Sequence, residues 1–255
     1  MIRMASEPTI DQLRKATHDR PDKHDFYMWG VIRKISIYFT WMFVRTPITP
    51  NQITLLSLLF GVAGATFFSS ADPMYWLAGW FVVNMHLVLD QADGETARWK
   101  KMSTKFGYFF DEITHPLVNV ALFAAASVGV YAAANDVRIL MVGLSLVFSA
   151  WTLRASGLYS DFISGSMFKL RTDVKSTPTG WLKRVAGIPT GLGGYFHVFA
   201  AAALLDILFS FRFEYGGFAI GSSRELFLVA AAVAIPVMAL RKAYALRKRL
   251  KDSRL

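Results

Sequence analysis

The chain has 255 residues, 54% hydrophobic and 15% aromatic, with a formal charge of +10 at pH 7 and no cysteine. Its mean hydropathy of +0.35 is too high for an ordinary soluble domain and is typical of a polytopic membrane protein, while the lack of cysteine excludes disulfides and thiolate metal sites. The basic residues stand in short loops beside apolar runs, which favours contact with anionic membrane lipids, and we expect no nucleic-acid partner.

Residues 1–49 are predicted to form a cytosolic start followed by an amphipathic helix. Residues 1 to about 25 are polar, read as loosely ordered, and lack the apolar core of a signal peptide. Apolar side chains then recur at helical spacing, with basic and hydroxyl side chains off their stripe: Met28, Ile32, Ile35, Phe39 and Met42. This pattern predicts a helix lying in the membrane interface, or alternatively one packed on another protein surface.

Six apolar runs long enough to span a bilayer follow, which predicts an all-α polytopic membrane protein. They lie near 52–71, 74–92, 106–131, 138–160, 190–211 and 223–241. Lys and Arg are concentrated after the second, fourth and sixth runs, so the positive-inside tendency predicts that both termini lie in the cytosol. We expect the membrane to be a prokaryotic inner membrane. We expect a membrane domain over 50–245 and a basic cytosolic tail over 246–255.

The segment from Asp90 to His115 brings charged residues to the ends of two apolar runs, where an uncompensated charge is costly and usually functional. Helical spacing gives one stripe of Asp90, Asp93, Gly94, Ala97 and Lys101 and a second of Gly107, Asp111 and His115. If the two helices form a hairpin, three carboxylates and one imidazole converge, and repelling carboxylates call for a cation between them. Such a site suits Mg²⁺ or Mn²⁺, and the small Gly94 and Ala97 leave room for a flat or bulky ligand.

These residues resemble the motif of the CDP-alcohol phosphotransferase family. The family pattern is D-x-x-D-G-x-x-A-R, eight residues, then G-x-x-x-D-x-x-x-D, and this chain fills it with Asp90, Asp93, Gly94, Ala97, Arg98, Gly107 and Asp111. The last aspartate of the pattern falls at position 115, where this chain has histidine. The sequence Pro50-Asn51-Gln52-Ile53-Thr54 before the first run is similar to the family as well, and the motif wording is most similar to the branch that makes di-inositol phosphates.

The resemblance implies a membrane transferase that moves a phosphate-linked alcohol from a CDP-alcohol donor to an acceptor hydroxyl and releases CMP, as in phospholipid biosynthesis. The acceptor would be an alcohol or a phosphorylated polyol, and the protein a homodimer. The implied metal ligands are Asp90, Asp93, Asp111 and His115, holding two ions of Mg²⁺ or Mn²⁺, or one in view of the histidine. The implied nucleotide-binding residues are Asp93, Gly94, Ala97, Arg98 and Gly107, bordered by Asn51 and Thr54.

His115 stands where the family has the aspartate that is thought to act as base, and three interpretations are open. A neutral imidazole accepts a hydroxyl proton near neutral pH, so His115 could be the catalytic base. It could instead be a nitrogen ligand that shifts the metal preference towards Mn²⁺ or another transition metal. In the third interpretation the base is lost, and the protein is an inactive relative that binds nucleotide and metal.

Other polar residues in the apolar runs have weaker interpretations. Arg154 stands near the cytosolic end of the fourth run and, with Lys169 and Arg171 in the next loop, could bind a phosphate on the acceptor; a snorkelling arginine beside a solvated loop explains the same pattern. His86 and His197 are expected to be hydrogen-bonded core histidines, and Asp206 has no partner evident in the sequence.

Two other classes of protein share some of these features. Transporters also gather carboxylates and a histidine at helix ends, but the sequence shows no convincing inverted repeat. A membrane scaffold without catalytic activity is the remaining alternative, and metal and nucleotide binding would distinguish it.

Overall fold

The computed structural model describes residues 8–18, 28–163, 195–209, 213–215 and 218–252, and helices make up nearly all of them. In chain order these are α1 (Ile10–Thr17), a π-helical turn (Met28–Ile32), α2 (Arg33–Phe43), α3 (Pro50–Thr66) with a 3₁₀ turn (Phe67–Ser69), α4 (Pro73–Lys100), α5 (Lys105–Ala134), α6 (Arg138–Ile163), α7 (Tyr195–Leu208) and α8 (Ser223–Asp252). Each of the helices α3 to α8 overlaps one predicted apolar run, and the prediction of a helical protein is confirmed for the described residues.

Helix α4 is longer than the sequence predicts. It continues past the expected end at residue 92 to Lys100, and Lys101 ends it with a left-handed φ of 55°. The acidic motif therefore belongs to α4 itself. Among the described residues, two segments are long and apolar enough to cross a membrane, Pro50–Ser69 and Lys105–Ala134.

One short hairpin departs from the all-α expectation. Strands β1 (Phe213–Tyr215) and β2 (Phe218–Ile220) pair antiparallel, with Phe213 opposite Ile220 and Tyr215 opposite Phe218. The sequence carries a hairpin signal here, since aromatic residues flank a Gly-Gly pair at 216–217. This signal is weak beside the long apolar runs that precede and follow it in the sequence.

The core lies where α4, α5 and α7 meet. Four fully buried aromatic side chains mark it, with Trp76 5.3 Å from Phe68 and 5.7 Å from Phe199, and Phe123 6.1 Å from Phe199, between ring centroids. Large apolar side chains also point outwards, among them Phe81, Phe148, Val233 and Leu240. An apolar exterior of this kind is typical of helices that contact lipid.

Helix α3 packs closely on α4 and α5 through glycines. A Cβ added at Gly61 would lie 2.5 Å from Val118, and one at Gly64 would lie 2.8 Å from the backbone nitrogen of Val83. These positions need glycine because neighbouring helices occupy the space of a side chain.

The N-terminal segment is more ordered than expected, and one face of α2 is buried against the protein. Residues 10–17, expected to be loosely ordered, form α1, which begins at a reciprocal cap between Thr9 and Gln12 and buries Leu13 completely. Helix α2 turns Ser36, Ile37 and Thr40 towards the protein, whereas Ile35 and Met42 of the predicted apolar stripe are 42% and 47% exposed. The reason is a polar partner for α2 on α4, described below.

Candidate active site

The site forms where the end of α4 turns back into the start of α5. After Lys101, the Thr104 hydroxyl accepts a hydrogen bond from the Gly107 backbone at 2.9 Å and caps α5. The turn between the two helices takes only residues 101–104. The two helices are therefore joined by the expected tight turn, and Asp90 of the first stripe lies beside Asp111 and His115 of the second.

Three of the four predicted metal ligands meet at this hairpin. Asp90, Asp111 and His115 each offer a ligand atom, and these atoms lie within 4.8 Å of one another. The Nε2 atom of His115 is 3.7 Å from Asp90 Oδ1 and 3.7 Å from Asp111 Oδ1. Since 3.7 Å exceeds hydrogen-bonding distance, His115 is not hydrogen-bonded to either carboxylate. The three side chains instead converge on a common centre.

The chemistry of this cluster fits a divalent cation. Asp90 Oδ1 and Asp111 Oδ1 are buried and have no hydrogen-bond partner within the described part of the chain. Buried carboxylate oxygens without partners are costly, and a cation between them would remove the cost. Two carboxylates and one imidazole suit Mg²⁺ less well than Mn²⁺, because a nitrogen ligand favours a transition metal.

The fourth predicted ligand, Asp93, lies beside the cluster and is tied to α3. The Thr54 hydroxyl donates to Asp93 Oδ2 at 2.6 Å, and both side chains are buried. This hydrogen bond places Thr54, expected only to border a pocket, directly on the acidic stripe. Asp93 thus has one oxygen engaged by the protein, unlike the two orphan oxygens of the cluster.

The predicted nucleotide-binding residues lie around the same hairpin. A Cβ at Gly107 would be 3.0 Å from Asn51 Oδ1, so the first turns of α3 and α5 are neighbours. A Cβ at Gly94 would be 3.3 Å from Arg98, so the guanidinium of Arg98 covers the face that the sequence left open. Ala97 is half-buried between these two regions.

A second histidine stands behind His115. The rings of His86 and His115 are 6.3 Å apart and nearly perpendicular, and His86 Nδ1 is 2.7 Å from the Ser57 hydroxyl. His197 is likewise hydrogen-bonded, since Trp80 Nε1 donates to its Nδ1 at 2.8 Å. His86 is buried, so its prediction as a hydrogen-bonded core histidine is confirmed, whereas His197 is hydrogen-bonded but only half-buried.

The residues expected to bind the acceptor are only partly described. Arg154 forms an ion pair with Glu112, which follows Asp111 in α5. Both side chains are about one-fifth exposed, at 22% and 19%, so the pair lies at the edge of the site. Lys169 and Arg171 lie outside the described residues.

The motif also contains a buried acid whose role its spacing does not predict. Glu95 is 0% exposed, and its Oε1 lies 2.9 Å from His18 Nε2 and accepts from the Ser36 hydroxyl at 2.8 Å. Its Oε2 accepts from Thr40 at 2.6 Å. The only signal was that Ser36 and Thr40 stand four residues apart on α2, which puts them on one face. Glu95 thus fastens α1 and α2 to the back of the acidic helix.

Asp206 has a partner that the sequence did not reveal. Its carboxylate accepts from Arg224 Nε at 2.6 Å and from the Ser223 backbone at 2.5 Å, which caps α8. Arg224 also donates to the Ala71 carbonyl at 2.8 Å and lies over the Trp76 ring. This buried network joins α7 and α8 to the start of α4.

Residues 47–186 match the sequence profile of the CDP-alcohol phosphatidyltransferase family. The chain is 35% identical over 79 residues to a bifunctional IPC transferase and DIPP synthase of Aquifex aeolicus. This aligned segment covers 30% of the present chain and 17% of that protein. It is 26% identical over 114 residues to a phosphatidylinositol phosphate synthase of Streptomyces avermitilis, covering 45% of this chain and 46% of the other. The matches thus span less than half of either curated relative.

Solved structures of similar fold come from the phosphatidylinositol phosphate synthase of Mycobacterium tuberculosis. The structure of that protein with CDP-DAG bound aligns with a TM-score of 0.56 and 19% identity, over 84% of this chain and 94% of the other. The structure in complex with manganese and citrate aligns with a TM-score of 0.58 and 20% identity, over 83% and 88%. At this identity the similarity shows a shared fold.

Proposed function

Because the chain belongs to the CDP-alcohol phosphatidyltransferase family, we propose that it is an integral membrane transferase that moves a phosphate-linked alcohol from a CDP-alcohol donor to an acceptor hydroxyl. The cluster of Asp90, Asp111 and His115 within 4.8 Å, inside the matched segment, carries the proposal. The curated relatives are named for transfers of this type, and the solved relative holds CDP-DAG.

The proposed reaction is a displacement at the phosphorus that links the donor alcohol to CMP. The acceptor oxygen forms a new bond to this phosphorus, the bond from phosphorus to the CMP phosphate oxygen breaks, and CMP leaves. His115 Nε2 receives the proton of the acceptor hydroxyl as general base, a role in which neutral imidazole is effective near pH 7. The product is a phosphodiester.

In this reaction Asp90 and Asp111 would hold a divalent cation, with Asp93 beside them to help hold a second, and the lone pair of His115 Nε2 would stay free for the proton. If His115 is instead a metal ligand, it cannot also be the base. Mg²⁺ or Mn²⁺ held there would supply positive charge to neutralise the diphosphate and the departing CMP oxygen. The side chains of Arg98 and Asn51, with Thr54 and the small faces at Gly94, Ala97 and Gly107, are proposed to bind the nucleotide. Arg154 would bind a phosphate on the acceptor after parting from Glu112, assisted by Lys169 and Arg171.

The membrane placement is part of the proposal. Helices α3 to α8 are proposed to be the six spans of a membrane domain over 50–245, followed by a cytosolic tail at 246–255. The domain would lie in a prokaryotic inner membrane with both termini in the cytosol. The outward Ile35, Tyr38 and Met42 support a position of α2 at the lipid interface, since they would otherwise be exposed to water. The resemblance supports a homodimer.

A second candidate function rests on His115. Replacing a carboxylate by imidazole removes one negative charge from the cluster, which leaves less charge to hold two dications. The chain would then be a relative that binds a CDP-alcohol and a metal ion without turnover. Nucleotide binding without CMP release would distinguish this case from the transferase.

The experiment is CMP release by the full chain in detergent or lipid, with Mg²⁺ or Mn²⁺. CDP-diacylglycerol, CDP-inositol, CDP-glycerol and CDP-choline are each supplied with a mixed pool of acceptor alcohols. We expect CMP with one donor and its loss in Asp111→Ala. CMP release that persists unchanged in Asp111→Ala would contradict the proposed site, and nucleotide binding without CMP from any donor would support the second candidate.

A further inference from the structure

Lys100, the last residue of α4, reaches back to the loop that precedes α3. Its ammonium donates hydrogen bonds to the backbone carbonyls of Thr46 at 2.7 Å and Ile48 at 2.8 Å. The Lys100 side chain is half-buried, and the two carbonyl oxygens replace part of the hydration that its ammonium has lost. A charged donor bound to two neighbouring carbonyls holds a loop more firmly than a neutral hydrogen bond would.

The loop held by Lys100 leads directly into residues of the candidate site. Thr49 caps α3 through a reciprocal pair of hydrogen bonds with Gln52. Asn51 follows the cap and lies against Gly107 of α5, and Thr54 donates to Asp93. The position of the Thr46–Ile48 backbone therefore sets where Asn51 and Thr54 stand relative to α4.

Hydrogen bonds of Lys100 and Asp93 connect one face of α4 to residues 46–54 at two levels along the helix axis. The two residues are seven apart in the sequence, which is two helical turns, or about 10 Å along the axis. Ala97 lies between them on that face and is only half-buried. Ala97 has only a methyl group as side chain, so it is the small residue between the two connections on this face of α4.

We infer that Lys100 is a positioning residue for the nucleotide: it holds the 46–48 backbone at the distance from α4 at which the base and ribose of a CDP-alcohol fit over Ala97. The inference rests on the proposed function and deepens it. It states that one side chain outside the family motif sets the distance between Ala97 and the 46–48 backbone, here called the nucleotide slot. Lys100 itself acts through the loop and touches no reacting atom.

The test compares Lys100→Met, which keeps the aliphatic stem and loses the donors, with Lys100→Arg, which keeps donors and charge. Lys101→Met is the matched control, because Lys101 is the exposed neighbour in the turn. The probe is CDP binding to the full chain in detergent with Mn²⁺, followed by KM for the active donor and by kcat. Mn²⁺ affinity reports whether the Asp90 cluster is intact.

We expect Lys100→Met to weaken CDP binding and raise the donor KM roughly tenfold, because both charge-assisted hydrogen bonds to the loop are lost, with Mn²⁺ affinity and kcat nearly unchanged. Lys100→Arg and Lys101→Met should bind CDP like the wild type. If Lys100→Met does not fold, Lys100→Gln, which retains a donor, is compared with Lys100→Arg in the same way.

Two results would overturn the inference, and a third would overturn the proposed function. If Lys100→Met binds CDP with wild-type affinity, the Lys100 contacts to the 46–48 loop do not determine nucleotide binding. Equal losses of CDP binding, Mn²⁺ affinity and kcat mean that Lys100 is only structural. A wild-type protein that binds Mn²⁺ but no CDP contradicts the proposed function itself, whatever the variants do.

Discussion

At residue 115 this chain exchanges a carboxylate for an imidazole in a cluster that otherwise keeps its acids. The exchange places a nitrogen 3.7 Å from two carboxylate oxygens, each buried without a hydrogen-bond partner among the described residues. An imidazole there can accept a proton or bind a metal ion but cannot add negative charge. The metal affinity of this site therefore depends strongly on Asp90 and Asp111.

Replacing Asp111 by Asn is expected to weaken Mn²⁺ binding by more than about tenfold, because it removes one of two charged ligands from the cluster. Isothermal titration of the detergent-solubilised protein measures the affinity. The control is Asp136→Asn, which removes an acid from the loop between α5 and α6, where Asp136 pairs with Arg138. Equal Mn²⁺ affinity in Asp111→Asn and the wild type would place the metal elsewhere.

At the scale of elements, the hairpin of α4 and α5 is held from both sides. On one side Thr54 and Lys100 connect α4 to α3 and its preceding loop. On the other, Glu95 connects α4 to α1 and α2. Because Asp93 and Glu95 point in different directions from one helix, these contacts fix the rotation of α4 about its axis and hence the direction of its acidic stripe.

Glu95→Ala is expected to destabilise the protein by about 3 kcal/mol, because it leaves the buried hydroxyls of Ser36 and Thr40 without their acceptor. Glu95→Gln should cost less, since its amide oxygen still accepts. Thermal or denaturant unfolding in detergent gives the comparison. Asp11→Asn, at an exposed acid of α1, serves as the control and should unfold like the wild type. A Glu95→Ala protein as stable as this control would contradict the assigned role.

At the scale of the whole molecule, α4 connects two polar centres at its opposite ends. It begins beside the buried pair of Asp206 and Arg224, which reaches the Ala71 carbonyl, and it ends at the acidic cluster. Its 28 residues correspond to about 42 Å, enough to cross a membrane. The pair fastens α7 and α8 to the end of α4 that is remote from the site.

Asp206→Ala is expected to destabilise the protein by about 3–5 kcal/mol, because it leaves the Arg224 guanidinium buried without its counter-charge. Replacing both partners, with Asp206→Leu and Arg224→Met, should cost clearly less than the single change. Unfolding midpoints in detergent measure both variants. A single variant that is no less stable than the double variant would show that the ion pair is not the cause.

Sequence patterns predicted the helices and the candidate site better than the contacts that position them. Fixed spacing located Asp90, Asp111 and His115, because residues at three- and four-residue steps share a helix face. The partners of Glu95 and Asp206 could not be predicted in this way, since His18 and Ser36 lie far from Glu95 in the chain and Arg224 follows Asp206 across a hairpin. The contact of α2 with α4 could not be predicted either, because Ser36 and Thr40 bind Glu95, which is remote from them in the sequence.

The most direct test of the account is the initial rate of CMP release by the wild type, His115→Ala and His115→Asp, with the active donor and saturating Mn²⁺. We predict that His115→Ala loses activity by about a hundredfold or more, as expected for removal of a general base, and that His115→Asp, which restores the residue of the family pattern, remains active. CMP release from His115→Ala at the wild-type rate would contradict the account, because the base would then lie elsewhere.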